Sequence, residues 1–149
     1  MNAGEICNRD VVIINRDNTI LEAAKLMREY HVGDVVVVEE RQGVQSPVGI
    51  LTDRDIVIEI LGQDLEPAEV QVGDAMSFEL LTATEEDEIL ETVKRMRSKG
   101  VRRIPVVNQR GSLEGIITVD DLVDLLAEQI ADLAALITTE QRQERRNRE

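Results

Sequence analysis

The sequence predicts an α+β fold in which two tandem β-α-β-β-α repeats pack about a pseudo-twofold axis, followed by a C-terminal helical extension. The duplication is predicted by two matches within the chain. Residues 19–32, TILEAAKLMREYHV, agree with residues 88–101, EILETVKRMRSKGV, at seven of fourteen positions. The segment VGILTDRDI at 48–56 matches EGIITVDDL at 114–122, with three fewer residues in the intervening loop. A chain of 149 residues with 42% apolar residues is long enough to build a core from both copies.

Each copy shows the same order of elements. A short strand, at 11–14 and 80–83, precedes a helix whose apolar residues recur at helical spacing. The next strand, at 35–38 and 104–107, is unbroken in its apolar character, which indicates burial on both faces. A third strand, at 49–51 and 115–117, leads into a second helix that begins near Asp53 or Val119. These patterns predict repeat 1 at 4–66, repeat 2 at 67–130 and a helical tail at 131–149.

Capping boxes are predicted at the start of the first helix of each repeat, because a threonine precedes an acid by three residues. These pairs are Thr19 with Glu22, and Thr84 with Asp87.

Composition excludes several classes of protein. The net charge of −13 is unfavourable for binding nucleic acid or an anionic membrane, which require clustered basic residues. Single residues of cysteine and histidine, Cys7 and His31, exclude an internal disulfide and a Cys/His metal site within one chain. The chain shows no signal-peptide pattern and no membrane-spanning run, so we expect a cytoplasmic protein. Nor does it contain a nucleophile with a paired base, so we expect no enzymatic activity.

The segment from Asp120 to Ile137 has an apolar stripe at helical spacing, formed by Leu122, Leu126, Ile130, Leu133 and Ile137. The stripe continues past the predicted end of the second repeat. We expect it to pack on a second subunit or on the repeats themselves, and the alternative is a docking helix for a different protein.

The two segments G-I-L-T-D-R-D at 49–55 and G-I-I-T-V-D-D at 115–121 resemble the signature of the CBS (cystathionine-β-synthase) domain. Two such domains in tandem form a CBS pair, or Bateman module, and this chain resembles a stand-alone bacterial-type member. The resemblance implies that the clefts between the repeats bind AMP, ADP or ATP, with or without magnesium, or S-adenosylmethionine. It also implies a homodimer and a separate, unidentified effector protein.

The resemblance assigns the ligand-binding residues by position. Thr52 with Asp55, and Thr118 with Asp121, would each contact ribose and phosphate, since the carboxylate can accept hydrogen bonds from ribose hydroxyls and the free N–H groups of the first helical turn can meet a phosphate. The alternative is that both pairs are only helix N-caps.

Charge predicts that the two clefts differ. The resemblance implies that Arg102, Arg103 and Arg54 surround phosphates in the Asp121 cleft, whereas Asp34 and Asp120 face the Asp55 cleft. We therefore expect the Asp121 cleft to bind AMP, ADP or ATP. We expect the Asp55 cleft to be empty, or to take a less negatively charged or metal-chelated ligand. The alternative for Arg102 and Arg103 is pairing with surface acids. Adenine is expected against the opposite repeat, near 7–12, which includes Val12, and near Val32 and Gly33.

Two functions from different classes follow. In the first, the chain is a ligand sensor that signals to a separate partner. In the second, it is a constitutive dimerisation scaffold with vestigial clefts.

Overall fold

The computed structural model describes residues 1–77 and 80–148. These residues form two compact units, Met1–Ile117 and Thr118–Glu149. The first unit carries both β-sheets, and the second is a helix. The elements in chain order are α1 (Ala3–Ile6), β1 (Ile13–Asn15), α2 (Ile20–Tyr30), β2 (Asp34–Arg41), β3 (Val44–Thr52), α3 (Asp53–Asp55, continuing in π and 3-10 geometry through Gln63), α4 (Val72–Ala75), β4 (Ala83–Thr84), α5 (Ile89–Lys99), β5 (Arg103–Val107), β6 (Leu113–Thr118) and α6 (Val119–Arg148).

The first sheet has the strand order β1-β2-β3. Strand β1 runs parallel to β2, with Ile13 opposite Val36, and β2 runs antiparallel to β3, with Val35 opposite Leu51. The apolar run Val35–Val38 is at most 3% exposed, so its predicted burial is confirmed. This sheet and α2 enclose the core of repeat 1, which includes Ile20, Met27 and Leu51.

The second sheet repeats this arrangement in the order β4-β5-β6. Strand β4 is parallel to β5, with Ala83 opposite Val106. Two tandem repeats with mixed sheets and a C-terminal helix confirm the predicted fold class. The short first strands lie later than predicted, at Ile13–Asn15 and Ala83–Thr84.

Each repeat is completed by the chain segment that precedes the other repeat. The backbone N–H groups of Ala3 and Gly4 donate to the carbonyls of Asp87 (2.8 Å) and Glu85 (2.9 Å), so α1 attaches to repeat 2. After α1, Asn8 forms an antiparallel bridge with Ile116 of β6, which is also in repeat 2. The equivalent segment before repeat 2 attaches to repeat 1, since Val72 N–H donates to the carbonyl of Asn18 (2.8 Å) and Gly73 N–H to that of Arg16 (2.9 Å).

Of the capping box predicted for α2, the Thr19 half is confirmed, because the Thr19 side chain accepts a hydrogen bond from Glu22 N–H (3.2 Å). Its counterpart in repeat 2 is Glu88, which accepts from Glu91 N–H (3.1 Å), so the predicted Thr84–Asp87 capping box is wrong.

Asp87 serves instead the turn before α5. It accepts from Thr84 N–H (2.9 Å), the Thr84 hydroxyl (2.8 Å) and the Arg95 guanidinium (3.1 Å). The Thr84 N–H is the main reason that the pKa of Asp87 lies below its usual value.

The second unit consists of α6, a continuous helix of 30 residues that runs without a break through the predicted boundary at 130. None of its described residues is buried. Over the described ranges, no helix is both long and apolar enough to cross a bilayer.

Candidate functional site

The corner between β3 and α3 holds Thr52 and Asp55 in a fixed relation. Thr52 ends the strand and is the N-cap of α3, and its hydroxyl accepts from Asp55 N–H (3.1 Å). In return, Asp55 Oδ2 accepts from Thr52 N–H (3.0 Å). Helix capping is therefore confirmed as one role of this pair. The capping box also fixes the orientation of the Asp55 carboxylate, because only Oδ2 takes part in the box and Oδ1 does not.

A cavity of about 370 Å³ opens at this corner. Thr52 and Asp55 share its wall with Arg102 and Arg103, which immediately precede and begin β5. The other lining residues are mostly aliphatic or small: Ile50, Ser77, Leu80, Leu81, Gly100 and Val101. Its volume lies within the range of small-molecule sites, and its wall combines polar and charged side chains with aliphatic ones.

Arg103 also pairs with Asp34 across the two repeats. Its Nε donates to Asp34 Oδ2 at 2.7 Å, and the two side chains are 30% and 23% exposed. The two residues are equivalent, 69 positions apart, and each begins the second strand of its repeat. The starts of β2 and β5 therefore lie side by side, and the carboxylate neutralises part of the positive charge at the cavity.

The charge around Asp55 thus differs from that expected. Arg102 and Arg103 were predicted beside Asp121, but they line the cavity of Thr52 and Asp55. The physical reason is that the start of β5 lies against the β3–α3 corner of the other repeat. The sequence of one repeat does not show that β5 of the other repeat lies beside its β3–α3 corner.

Three of the remaining predicted residues lie elsewhere on repeat 1. Gly33 accepts from Asp53 N–H (2.9 Å), and Arg54 is exposed, with its own N–H bonded to Asp53 Oδ1 (2.8 Å). Val12 lines a separate cavity of about 560 Å³, together with Asp10, Val11, Ile13, Leu26 and Tyr30.

Val32 packs against the core of repeat 1. Ligand binding by Val12, Val32, Gly33 and Arg54 stays a prediction.

The second predicted corner lies at the start of α6. Asp121 N–H donates to the Thr118 hydroxyl (3.1 Å), which repeats half of the capping box at Thr52. Ligand binding by Thr118 and Asp121 also stays a prediction.

Several cavity residues were not predicted from the sequence, and a signal for them exists. Leu81 and Val101 stand 69 positions after Val12 and Val32, which were assigned to the adenine. Applying the repeat offset to the predicted adenine contacts would therefore have found the aliphatic wall of the Asp55 cavity. Ser77 has no such signal, and it is placed by the hydrogen bond from its N–H to the carbonyl of Ile50 (3.1 Å).

Other reactive groups do not form a site. The Cys7 thiol points at the carbonyl of Gly4 (3.6 Å), and burial raises its pKa, which lowers the thiolate fraction. Within residues 1–77 and 80–148, no cluster of three or more His, Cys, Asp or Glu side chains is arranged to hold a metal ion.

Comparison with known proteins identifies the family. The sequence model of the CBS domain matches residues 3–62 and 72–128. The uncharacterized protein MK0525 of Methanopyrus kandleri is 40% identical over 125 residues, which are 84% of this chain and 62% of that protein. Hypoxic response protein 1 of Mycobacterium tuberculosis is 31% identical over 126 residues, 85% of each chain.

A solved structure has the same fold. The CBS domain pair of protein MJ0100, in complex with 5-methylthioadenosine and S-adenosyl-L-methionine, superposes with a TM-score of 0.74 at 22% identity. The superposition covers 87% of this chain and 98% of that one. With both repeats matched and the fold reproduced, this chain belongs to the CBS domain family as a tandem pair.

Proposed function

We propose that this chain is a regulatory module that binds an adenosine-containing ligand in the cavity at Thr52 and Asp55 and transmits its occupancy to a separate protein. One observation carries the proposal: an oriented hydroxyl and carboxylate of repeat 1 share a cavity with two guanidinium groups of repeat 2. A ligand there would contact both repeats, so its binding free energy would depend on their relative position.

The chemistry of the wall suits a nucleoside. The Asp55 carboxylate retains acceptor capacity beyond its bond from Thr52 N–H, which allows it to accept from ribose hydroxyls. Leu80, Leu81 and Val101 offer aliphatic surface to a base. Arg102 supplies a planar group that can hold a phosphate or carboxylate by two hydrogen bonds.

Charge favours a ligand with few negative charges. The carboxylates of Asp34 and Asp55 offset the two arginines, so the wall carries little net positive charge. Among AMP, ADP, ATP and S-adenosylmethionine, we therefore propose AMP or S-adenosylmethionine as the preferred ligand. The MJ0100 pair, which shares the fold, was crystallised with S-adenosyl-L-methionine and 5-methylthioadenosine.

Isothermal titration of the full chain with these four ligands tests the proposal. Asp55→Asn keeps an oxygen for Thr52 N–H but removes the charge, and a charged hydrogen bond contributes about 1.5–3 kcal/mol, so affinity should fall about 10- to 150-fold. Asp121→Asn is the matched control at the equivalent position of repeat 2. Equal affinity of Asp55→Asn and the unmodified chain, or no binding of any of the four ligands, would contradict the proposal.

A second candidate function is a constitutive scaffold, which is favoured by the exposed apolar residues of α6. Thermal unfolding separates the two functions. A ligand at one hundred times its Kd adds about 2.7 kcal/mol of stability to a sensor, whereas a scaffold with vestigial clefts gains nothing. Turnover of a nucleotide in the same samples would instead indicate an enzyme.

A further inference from the structure

Helix α6 presents an unpartnered apolar seam. Val123, Leu126, Ile130, Leu133 and Ile137 alternate in steps of three and four residues, and they are between 56% and 65% exposed. This spacing is the heptad repeat, with β-branched residues at every first core position and leucine at every second. In parallel dimers this choice of residues favours two strands over higher oligomers, so it indicates one partner helix, and the direction of the pair depends on the charges.

The charges of α6 are divided along its length. From Asp120 to Asp132 the helix has five acids and no basic residue: Asp120, Asp121, Asp124, Glu128 and Asp132. From Glu140 to Glu149 the sequence has four arginines against three glutamates, a net charge of +1. The side-chain charge of α6 is therefore strongly negative in its first half and slightly positive at its end.

We infer that α6 forms an antiparallel two-helix pair with α6 of a second copy of this chain. A parallel pair would place five acids beside five acids, which is destabilising. An antiparallel pair separates them and brings Asp121 of one copy opposite Arg142 of the other. The apolar seam is self-complementary in this direction. Leu126 of one copy meets Ile137 of the other, and Ile130 meets Leu133, so the core positions from Leu126 to Ile137 have apolar partners. Val123 lies opposite Glu140, at the end of the paired stretch.

Neighbouring positions also permit close approach. Ala127 and Ala134 flank the seam on one side and carry no charge that pairing would bury. A twofold interface of this kind is isologous and closes on itself, so it yields a defined pair and not an open chain. The inference does not depend on ligand binding at the Asp55 cavity.

The mass of the full chain in solution, measured by light scattering, tests the pairing. Leu133→Glu places a charge in the seam, and it should reduce the assembled mass by half or weaken association at least tenfold. Ala135→Glu, two residues further on the outward face, is the matched control and should leave the mass unchanged. Circular dichroism of both variants verifies that the helix is retained. Equal masses for Leu133→Glu and the unmodified chain would overturn the inference, even if unit 1 dimerises by another surface.

Cross-linking by air oxidation tests the direction, in a Cys7→Ser background. The double variant Leu126→Cys with Ile137→Cys should form an intermolecular disulfide, and Leu126→Cys alone should not. A disulfide from the single variant would show a parallel pair and overturn the antiparallel arrangement. Association should also weaken as salt rises from 0.05 to 0.5 M, on the order of tenfold, because the charges are exposed and screened.

Discussion

Gly115 lies in β6, at the point where Cys7 and Asn8 of the N-terminal segment pack against that strand. Replacement of Gly115 by alanine should be strongly destabilising. A methyl group on Gly115 would lie 2.6 Å from the Cys7 sulfur and 2.7 Å from the carbonyl oxygen of Asn8. The thiol can rotate away, but that carbonyl accepts the N–H of Ile116 (2.9 Å) and cannot move without loss of the bridge.

The cost follows from these contacts. Overpacking typically costs 1–3 kcal/mol, and a contact with backbone belongs at the upper end, so we expect about 3 kcal/mol and a Tm lower by about 6–12 °C. Cys7→Ala in the same chain should recover about half of the loss, because the contact with the Asn8 carbonyl remains.

Urea unfolding followed by far-UV circular dichroism measures this loss. Gly43→Asn is the control, because its position has φ +79° and open space around the added atoms, and asparagine tolerates the left-handed conformation. We expect that control to change stability by about 0.5 kcal/mol or less. A Gly115→Ala chain as stable as the control would refute the reasoning from close approach.

Two further predictions concern charge. Asp87→Ala should cost about 1–2 kcal/mol at pH 7, since it removes the acceptor for Thr84 N–H and Arg95. The pKa of Asp87 is lowered in the folded chain, so its contribution is present above the unfolded value of 3.8 and is lost as pH falls through the folded pKa. The difference between the urea midpoints of the two chains should therefore shrink as the pH is lowered below 3.8, and a constant difference would contradict this. Asp34→Asn frees Arg103 from its ion pair, and it should raise the affinity for ATP relative to adenosine about fivefold, or about 1 kcal/mol, in paired titrations; an unchanged ratio would show that Arg103 does not contact phosphate.

Most of the fold was predictable because the sequence contains the same pattern of strands and helices in two copies. Two copies of an apolar run, at 35–38 and 104–107, and of the Thr-x-x-Asp corner define the order of the elements and the start of the second helix of each repeat. Helix boundaries were less predictable. Thr84 and Asp87 have the spacing of a capping box, but α5 begins at Ile89 because the buried face that packs on the core, Ile89, Thr92 and Met96, determines where the helix starts.

The charges of the cavity could not be predicted from either repeat alone. Asp34 and Arg103 are far apart in sequence and meet only because their strands begin side by side. Local patterns determine what each residue offers, such as the oriented carboxylate of Asp55. Which guanidinium group shares a cavity with it depends on how the repeats pack, and that information is long-range.

The exchange of segments between the repeats has a consequence for the order of folding. Residues 1–8 cannot dock until Glu85, Asp87 and Ile116 have been synthesised. The N-terminal segment therefore reaches its native position only after nearly all of unit 1 has been made. Repeat 1 likewise remains incomplete until Val72 and Gly73 emerge. A fragment cut between the repeats would lack its closing segment, so cooperative unfolding of unit 1 in a single transition is the behaviour that this architecture requires.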